Sequence, residues 1–341
     1  MPHFIMPRFI MFRLVMPRLV RLVLSALVVG GADAAFAGAG WAQSYPSRPI
    51  RLLVSYPPGG AADLVARAVG LPLSARLGQP VVVENRPGSN GNLAGELVAG
   101  AAPDGHTLLL GPSALFGINP HLYARMSIDP LKDLVPVASL VSNALLLAAN
   151  PKLGPTSFRD FIAFARSARS PLFYASIGNG SEHHLAMEML KQAAGIDLTH
   201  VPYKGGGPAA LGVMSGDVAV MFGGGSVASL IQSGQLRGLA ISGRRRSPAL
   251  PDLPSVSEFY PDYEVTLWQG LFAPVGTPPH IVARLRAEVN AVLAQADVMD
   301  KLAAAGSGDP YITTQAEFSA RVRADYDKYG KVIREIGLKV E

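Results

Sequence analysis

The 341-residue sequence contains no cysteine. That absence excludes disulfides, thiolate metal sites, a cysteine nucleophile and an acylated N-terminal cysteine. Charge is scarce too: 16% of residues are charged and 49% are hydrophobic, which excludes a disordered or coiled-coil chain. No apolar run reaches the roughly 20 residues that a membrane helix needs. The most apolar stretch, 22–32, is bracketed by Arg21 and Asp33. The formal charge of +5 is concentrated early. Without Arg8, Arg13, Arg18, Arg21 and Asp33, 26 basic and 24 acidic residues remain, a net of +2. A body so near neutrality excludes nucleic acid as an expected partner.

Residues 1–42 instead read as a secretory signal peptide. The four arginines make a positive n-region, Leu22–Val29 an apolar h-region, and Gly40-Trp41-Ala42 a small-x-small cleavage site before Gln43. The pentads at Met6, Met11 and Met16 resemble one another, and Met16 is a second candidate start that gives a signal of ordinary length. With no cysteine to acylate, the mature chain is expected free and soluble in the periplasm.

From Ile50 on, short apolar runs alternate with helix-period segments, as in an α/β fold with largely parallel sheets. Strands are expected at 50–55, 81–84 and 107–110, with apolar runs at 134–141 and 145–149. A helix over 61–77 carries Leu64, Val65, Ala68 and Leu71 on one face, and Pro72 is expected to kink it or end it early. A second cluster starts at Thr156-Ser157, an N-cap signal for a helix bearing Phe158, Phe161, Ile162 and Ala165. It continues through strands at 172–176, 198–201, 218–222 and 236–241, with helices at 181–194, 208–214 and 226–231. Thr277-Pro278 is expected to cap a helix bearing Ile281, Leu285, Val289 and Val292, and Thr314 with Glu317 a capping box. The expected division is 43–145 plus 266–341 for one lobe and 146–265 for the other. Two α/β lobes joined by crossing segments bind ligands in the cleft between them.

The most informative loop leaves a strand and enters a helix: Tyr56-Pro57-Pro58-Gly59-Gly60-Ala61-Ala62-Asp63. Its glycines permit a turn and close approach, and first-turn amides without helical partners attract an anion. A tight turn in which Asp63 merely offsets the helix dipole is the plainer alternative. A similar loop, Ser176-Ile177-Gly178-Asn179-Gly180-Ser181, leads into a helix with His183 and His184. Gly111-Pro112-Ser113-Ala114, Tyr203-Lys204-Gly205-Gly206-Gly207 and Phe222-Gly223-Gly224-Gly225 also follow strands, at the carboxyl edge where open α/β sheets bind ligands. Two such loops facing one another clamp a molecule with two negative ends.

Other chemistries fit less well. His184 and Glu188 stand four apart on a helix, but zinc needs a third protein ligand and no HExxH occurs. Gly224-Gly225-Ser226-Val227-Ala228 approximates a nucleophile elbow, with Asp262 or Glu264 and then His280 in hydrolase order. Its fifth position is Ala, so a secreted serine hydrolase using Ser226 is the runner-up function. Arg244-Arg245-Arg246 reads as a solvated basic turn.

Taken in order, the motifs YPSRPIRLLV (45–54), PPGGAAD (57–63), VVVENRPG (81–88) and APDGHTLLLG (102–111) resemble those of the extracytoplasmic solute receptors of tripartite tricarboxylate transporters, the Bug family. INPHLY (118–123), GNGSEHHLA (178–186), HVPYKGGGPAAL (200–211), LPDLPSVSE (250–258) and WQGLFAPVGTPP (268–279) extend the resemblance to nearly the whole mature chain. It implies a type II periplasmic-binding-protein fold, a monomer without cofactor, metal or catalysis. In the family, the loop matching Pro58–Asp63 holds one carboxylate through backbone amides and waters. The loop matching Gly178–His184 contributes from the other lobe. The expected ligand-binding residues are Tyr56, Pro58, Gly59, Gly60, Ala61, Asp63, Ser113, Ala114, Gly178, Asn179, Gly180, Ser181, His184, Tyr203, Lys204, Gly205, Phe222 and Gly223. Di- and tricarboxylates, acidic amino acids, aromatic carboxylates and neutral solutes all stay open as ligands. The partners implied are the transporter's large and small transmembrane subunits, with a sensor kinase as the alternative.

Overall fold

The computed structural model describes residues 45–247, 249–306 and 308–339. The expected signal peptide, 1–42, lies outside the described residues. Six strands form one sheet: β1 (Ile50–Val54), β2 (Val81–Asn85), β3 (Thr107–Pro112), β4 (Leu134–Ala144), β10 (Thr266–Pro274) and β11 (Asp309–Pro310), in the order β11-β4-β10-β3-β1-β2. Five form the other: β5 (Leu146–Ala149), β6 (Phe173–Ser176), β7 (Thr199–Pro202), β8 (Val220–Gly223) and β9 (Arg237–Ile241), in the order β7-β6-β8-β5-β9.

Both sheets are mixed, which corrects the expectation of largely parallel ones. β1 runs parallel to β2 and β3, and β6 parallel to β7 and β8. β10 is antiparallel to β3 and β4, β11 to β4, and β5 to β8 and β9. Three strands are reversed, β5, β10 and β11, and the first two of these follow the chain's passages between sheets. At that passage Leu145 N–H donates to Ser242 Oγ and Ser242 N–H to Leu145 O, each at 2.8 Å, and Val265 N–H reaches Ser242 O at 3.0 Å. Leu145, Ser242 and Val265 are all fully buried, so three chain segments are stitched together at one point.

The first helix, α1 (Ala61–Leu77), continues through Pro72 for a further turn, to Leu77, so the expected early end is not found. Proline removes one backbone bond, but Val69, Leu73 and Leu77 are buried on both sides of it and hold the last turn on the sheet. The helix ends at Gly78, whose φ of 72° suits a left-handed cap. Its buried face is Ala62, Val65, Ala66, Val69, Leu73 and Leu77. The expected face was rotated from this one: Leu64 and Leu71 are exposed, Leu71 at 77%. Helices α2 (Asn92–Ala99), α3 (Ser113–Gly117), α4 (Asn119–Leu122) and α5 (Pro130–Asp133) complete the first part of the chain.

α6 (Phe158–Ser167) starts at Ser157, which caps Asp160 N–H, and buries Phe158, Phe161, Ile162 and Ala165 as its periodicity requires. α7 (Glu182–Ala194), α8 (Gly206–Ser215) and α9 (Ser226–Gln232) follow strands of the second sheet. α10 (Pro279–Leu293) buries Ile281, Leu285, Val289 and Val292. Its cap differs from expectation: Pro278 is the N-cap without a side-chain bond, and the Thr277 hydroxyl donates to Pro274 O instead. α11 (Ala296–Ala304) and α12 (Gln315–Ile336) follow, and Thr314 with Glu317 forms the expected capping box. Phe116 stacks on Phe272 at 4.0 Å in the first core, while Phe158, Phe161, Tyr174, Leu190 and Phe222 fill the second. Among the described residues, no helix is long and apolar enough to cross a membrane.

Candidate ligand-binding site

Because β1 and β3 are parallel, the loop after Val54 and the start of α3 leave the same edge of the first sheet. By the same rule the loops after β6, β7 and β8 share one edge of the second.

In the first loop, Asp63 acts on its own backbone. Its buried carboxylate accepts from Gly59 N–H at 3.0 Å, Arg67 Nε at 2.9 Å and Asn85 Nδ2 at 3.0 Å. Asn85 also donates to Tyr56 O at 3.0 Å. The Arg67 hydrogen bond, opposed by burial and aided by Gly59 and Asn85, holds the Asp63 carboxyl down at about 2. Gly59 has a φ of +80° with open space where a side chain would start. The N-cap of α1, Gly60, makes no side-chain bond. The carboxylate that sits in the first turn is thus turned back onto the loop. Pro58, Gly59, Gly60 and Ala61 are exposed there. Tyr56 is half-buried, and burial, then the Glu182 carboxylate, pushes its hydroxyl above the ordinary range.

The second loop is built differently. Ser181 caps α7, its hydroxyl accepting from His184 N–H at 3.3 Å and donating to Gly178 O at 2.8 Å. Gly178 N–H donates to Ser176 Oγ at 3.1 Å, and Gly180 N–H to His184 Nδ1 at 3.1 Å. Gly180 has a φ of +72°, and a Cβ there would run into Leu122 Cδ2 of α4. Asn179 is exposed at the tip. His184 is buried, and burial holds its imidazole, like that of His183, at about 4. Glu188, four residues on, is occupied by Tyr174 OH at 2.6 Å and Lys191 Nζ at 2.9 Å. Among the described residues no group of three His, Asp or Glu side chains could hold a metal ion.

The other expected residues divide. Tyr203 is half-buried, Lys204 exposed, and Gly205 is the N-cap of α8 with a φ of +109°. Ser113 and Ala114 are fully buried, and Ser113 Oγ donates to Glu182 Oε1 at 2.9 Å. Phe222 lies in the second core, 6.3 Å from Tyr263 ring to ring, and Gly223 ends β8 buried against Val227. The two strand edges meet where Ser113 and Tyr56 approach Glu182, and where Gly180 packs on Leu122. Sequence reasoning did not single out Glu182, Asn85 or His200. Their partners lie on other elements, so no local spacing marks them.

Ser226 is exposed at the start of α9. The acids and histidine in line for a triad are not gathered with it by any hydrogen bond among the described residues. Glu264 is held by Arg244 at 2.8 Å and Arg321 at 3.0 Å. Arg244 and Arg246 are exposed as expected, each on an acid: Glu264 and Glu258.

The family model for the tripartite tricarboxylate transporter family receptor matches residues 65–338. BugT of Bordetella pertussis is 34% identical over 306 residues, which cover 88% of this chain and 93% of that protein. Among solved structures, R. palustris Rpa4515 with adipate aligns with a TM-score of 0.74 at 32% identity, covering 87% of this chain and 100% of that one. MatC (Rpa3494) from Rhodopseudomonas palustris with bound malate aligns with a TM-score of 0.69 at 32% identity, over 85% of this chain and 100% of that one.

Proposed function

Since this chain belongs to the receptor family of tripartite tricarboxylate transporters, we propose that it captures a small dicarboxylate between two strand-edge loops and delivers it to such a transporter. Its fold is the two-lobe α/β architecture of periplasmic solute-binding proteins. The observation that carries the ligand class is the start of α1. Its cap residue Gly60 offers no side-chain acceptor, and Asp63 is tied back to Gly59, Arg67 and Asn85. Such a start favours an incoming carboxylate by about 0.3–1 kcal/mol, up to ~2 when partly buried. Adipate and malate, held by two family neighbours, are both dicarboxylates, which supports a ligand with two negative ends.

The lobes of this reading are 43–145 with 266–341, and 146–265, hinged where Leu145, Ser242 and Val265 are bonded together. The first loop receives one carboxylate through amides and waters, and the loop at 178–184 faces the other. The signal at 1–42 sends the chain to the periplasm, where the closed receptor docks on the large and small membrane subunits. A ligand favours closure only by its differential affinity for the two states.

Thermal unfolding of protein from Gln43 onward, stripped of bound ligand, against a carboxylate panel tests the reading. A ligand at 100 times its dissociation constant stabilises by about 2.7 kcal/mol, a rise of several degrees. A flat panel, or ester hydrolysis lost on Ser226→Ala, overturns it in favour of another solute or of the hydrolase.

A further inference from the structure

His200, on β7, and His184, on α7, stack face to face with ring centroids 3.8 Å apart and planes 10° apart. Each ring reaches one end of the same three-residue turn. Gly180 N–H donates to His184 Nδ1 at 3.1 Å, so that nitrogen is unprotonated and the proton sits on Nε2. At the other end, Ser176 Oγ donates to Gly178 O at 3.0 Å and accepts from Gly178 N–H at 3.1 Å. With its one proton so used, the Ser176 hydroxyl accepts from Nε2–H of His200 at 2.6 Å. Ser176 is fully buried, while its partners Gly178 and His200 are half-buried. We infer that His184 and His200 act together as positioning residues, holding the Gly178–Gly180 turn in the shape that presents Asn179 to the cleft. This rests on the reading of that loop as a ligand contact.

The arrangement requires a neutral His184 and excludes charge on both rings at once. A proton added to His184 goes to Nδ1 and meets Gly180 N–H head-on; a proton on both rings sets two cations against each other. The facing groups are few. Tyr174 of β6 stacks on His200 at 5.0 Å and stands 6.3 Å from His184. Glu188 of α7 lies 4.0 Å from His184 Nε2 and is shared with Tyr174 OH and Lys191. Burial, first, and then the neighbouring Lys191 hold His184 at about 4; burial and then His184 do the same for His200. Above that value the turn is held, and as the pH falls to it the turn is released.

The test combines two measurements on the full mature protein. The first follows the Gly178 and Gly180 amide resonances and the imidazole resonances in ligand-free protein from pH 7 to pH 4. The amides are expected to move in step with the imidazoles, and His200→Ala to displace Gly178 at neutral pH. The second is calorimetric titration with adipate. His200→Ala should weaken it about five- to tenfold, the loss of one hydrogen bond, with most recovered by His200→Gln, whose amide replaces Nε2–H. Combined with His184→Asn, His200→Gln should also flatten the acid loss of affinity beyond that due to protonation of adipate itself, which both proteins share. Glycine amides that ignore the imidazole titration overturn the inference. So does adipate binding that is equal in wild type and His200→Ala. If wild type binds no carboxylate, the receptor reading fails by itself and the resonances alone decide the positioning role.

Discussion

Ser113, where β3 passes into α3, donates a 2.9 Å hydrogen bond to Glu182 at the start of α7, across 69 residues of chain. The bond is buried and joins an element of the first sheet to one of the second. Glu182 has no basic side chain within ion-pairing distance among the described residues. Burial pushes its carboxyl above the ordinary value, Asp325 adds to this, and hydrogen bonds from Ser113 and the Ala114 backbone resist it. The unfolded chain therefore releases this proton at lower pH than the folded one, and stability falls as pH rises from the ordinary carboxyl value of 4.5 toward the raised one. Glu182→Gln removes that penalty. In urea unfolding at pH 5 and pH 8, the variant should gain on wild type at the higher pH; a gap that does not change with pH would exclude a raised Glu182.

Asp63 has the opposite sign. Its carboxyl is lowered from 3.8 to about 2, first by Arg67, so its contribution is present above 3.8 and lost as pH falls toward 2. Asp63→Asn should show a shallower acid decline in melting temperature than wild type between pH 5 and pH 2. Asp63→Ala leaves the Gly59 amide without its acceptor and Asn85 with Tyr56 O alone, and should destabilise by about 1–3 kcal/mol while weakening ligand binding. Unchanged affinity would remove the first loop from the site.

Two glycines with similar backbone angles should respond differently to alanine. Gly59 has open space where a Cβ would stand, so Gly59→Ala meets only the strain of a positive φ, about 1–2 kcal/mol. Gly180 has both a positive φ and Leu122 in the way. Gly180→Ala should be the more destabilising and the more damaging to ligand affinity, as unfolding and titration of the pair would show. Equal effects would place the 178–180 turn free of α4.

Trp268 and Asp325 report on the other side of the passage between sheets. Trp268 Nε1 donates to Asp325 at 2.7 Å, and Arg321 at 2.9 Å and Lys328 at 2.7 Å pair with the same carboxylate. Asp325 is 2% exposed. Asp325→Ala leaves two cations without it and should cost about 3–5 kcal/mol. In protein from Gln43 onward Trp268 is the lone tryptophan, and its emission should shift to the red in this variant. A melting temperature within a degree of wild type would contradict the network's role.

Much of this was legible in the sequence because it is local. Ser157 ahead of Phe158 and Phe161, and Thr314 ahead of Glu317, mark helix starts by spacing alone, and the structure places caps there. Gly59-Gly60 after an apolar run marks the strand-to-helix loop. What was misread depends on partners distant in sequence. The sequence has Pro72 kink α1 or end it early; the early end does not occur, because packing of Leu73 and Leu77 outweighs one missing backbone bond. The same packing rotates the buried face away from Leu64 and Leu71. Strand direction depends on the path of the chain, and two of the reversed strands, β5 and β10, follow passages between sheets that periodicity does not record. Glu182 and His200 carry no local signature, because Ser113 and Ser176 reach them only in the folded chain.

A two-ended clamp is tested most directly by calorimetric titration of stripped protein from Gln43 onward with adipate and then with its monomethyl ester, in one buffer at neutral pH. Two facing loops that each take a carboxylate predict saturable one-to-one binding of adipate and at least about tenfold weaker binding of the half-ester, the value of one charge-assisted hydrogen bond. Equal affinity for the two would contradict a clamp with two negative ends, and no heat from either, repeated with malate and its half-ester, would remove dicarboxylates from the site.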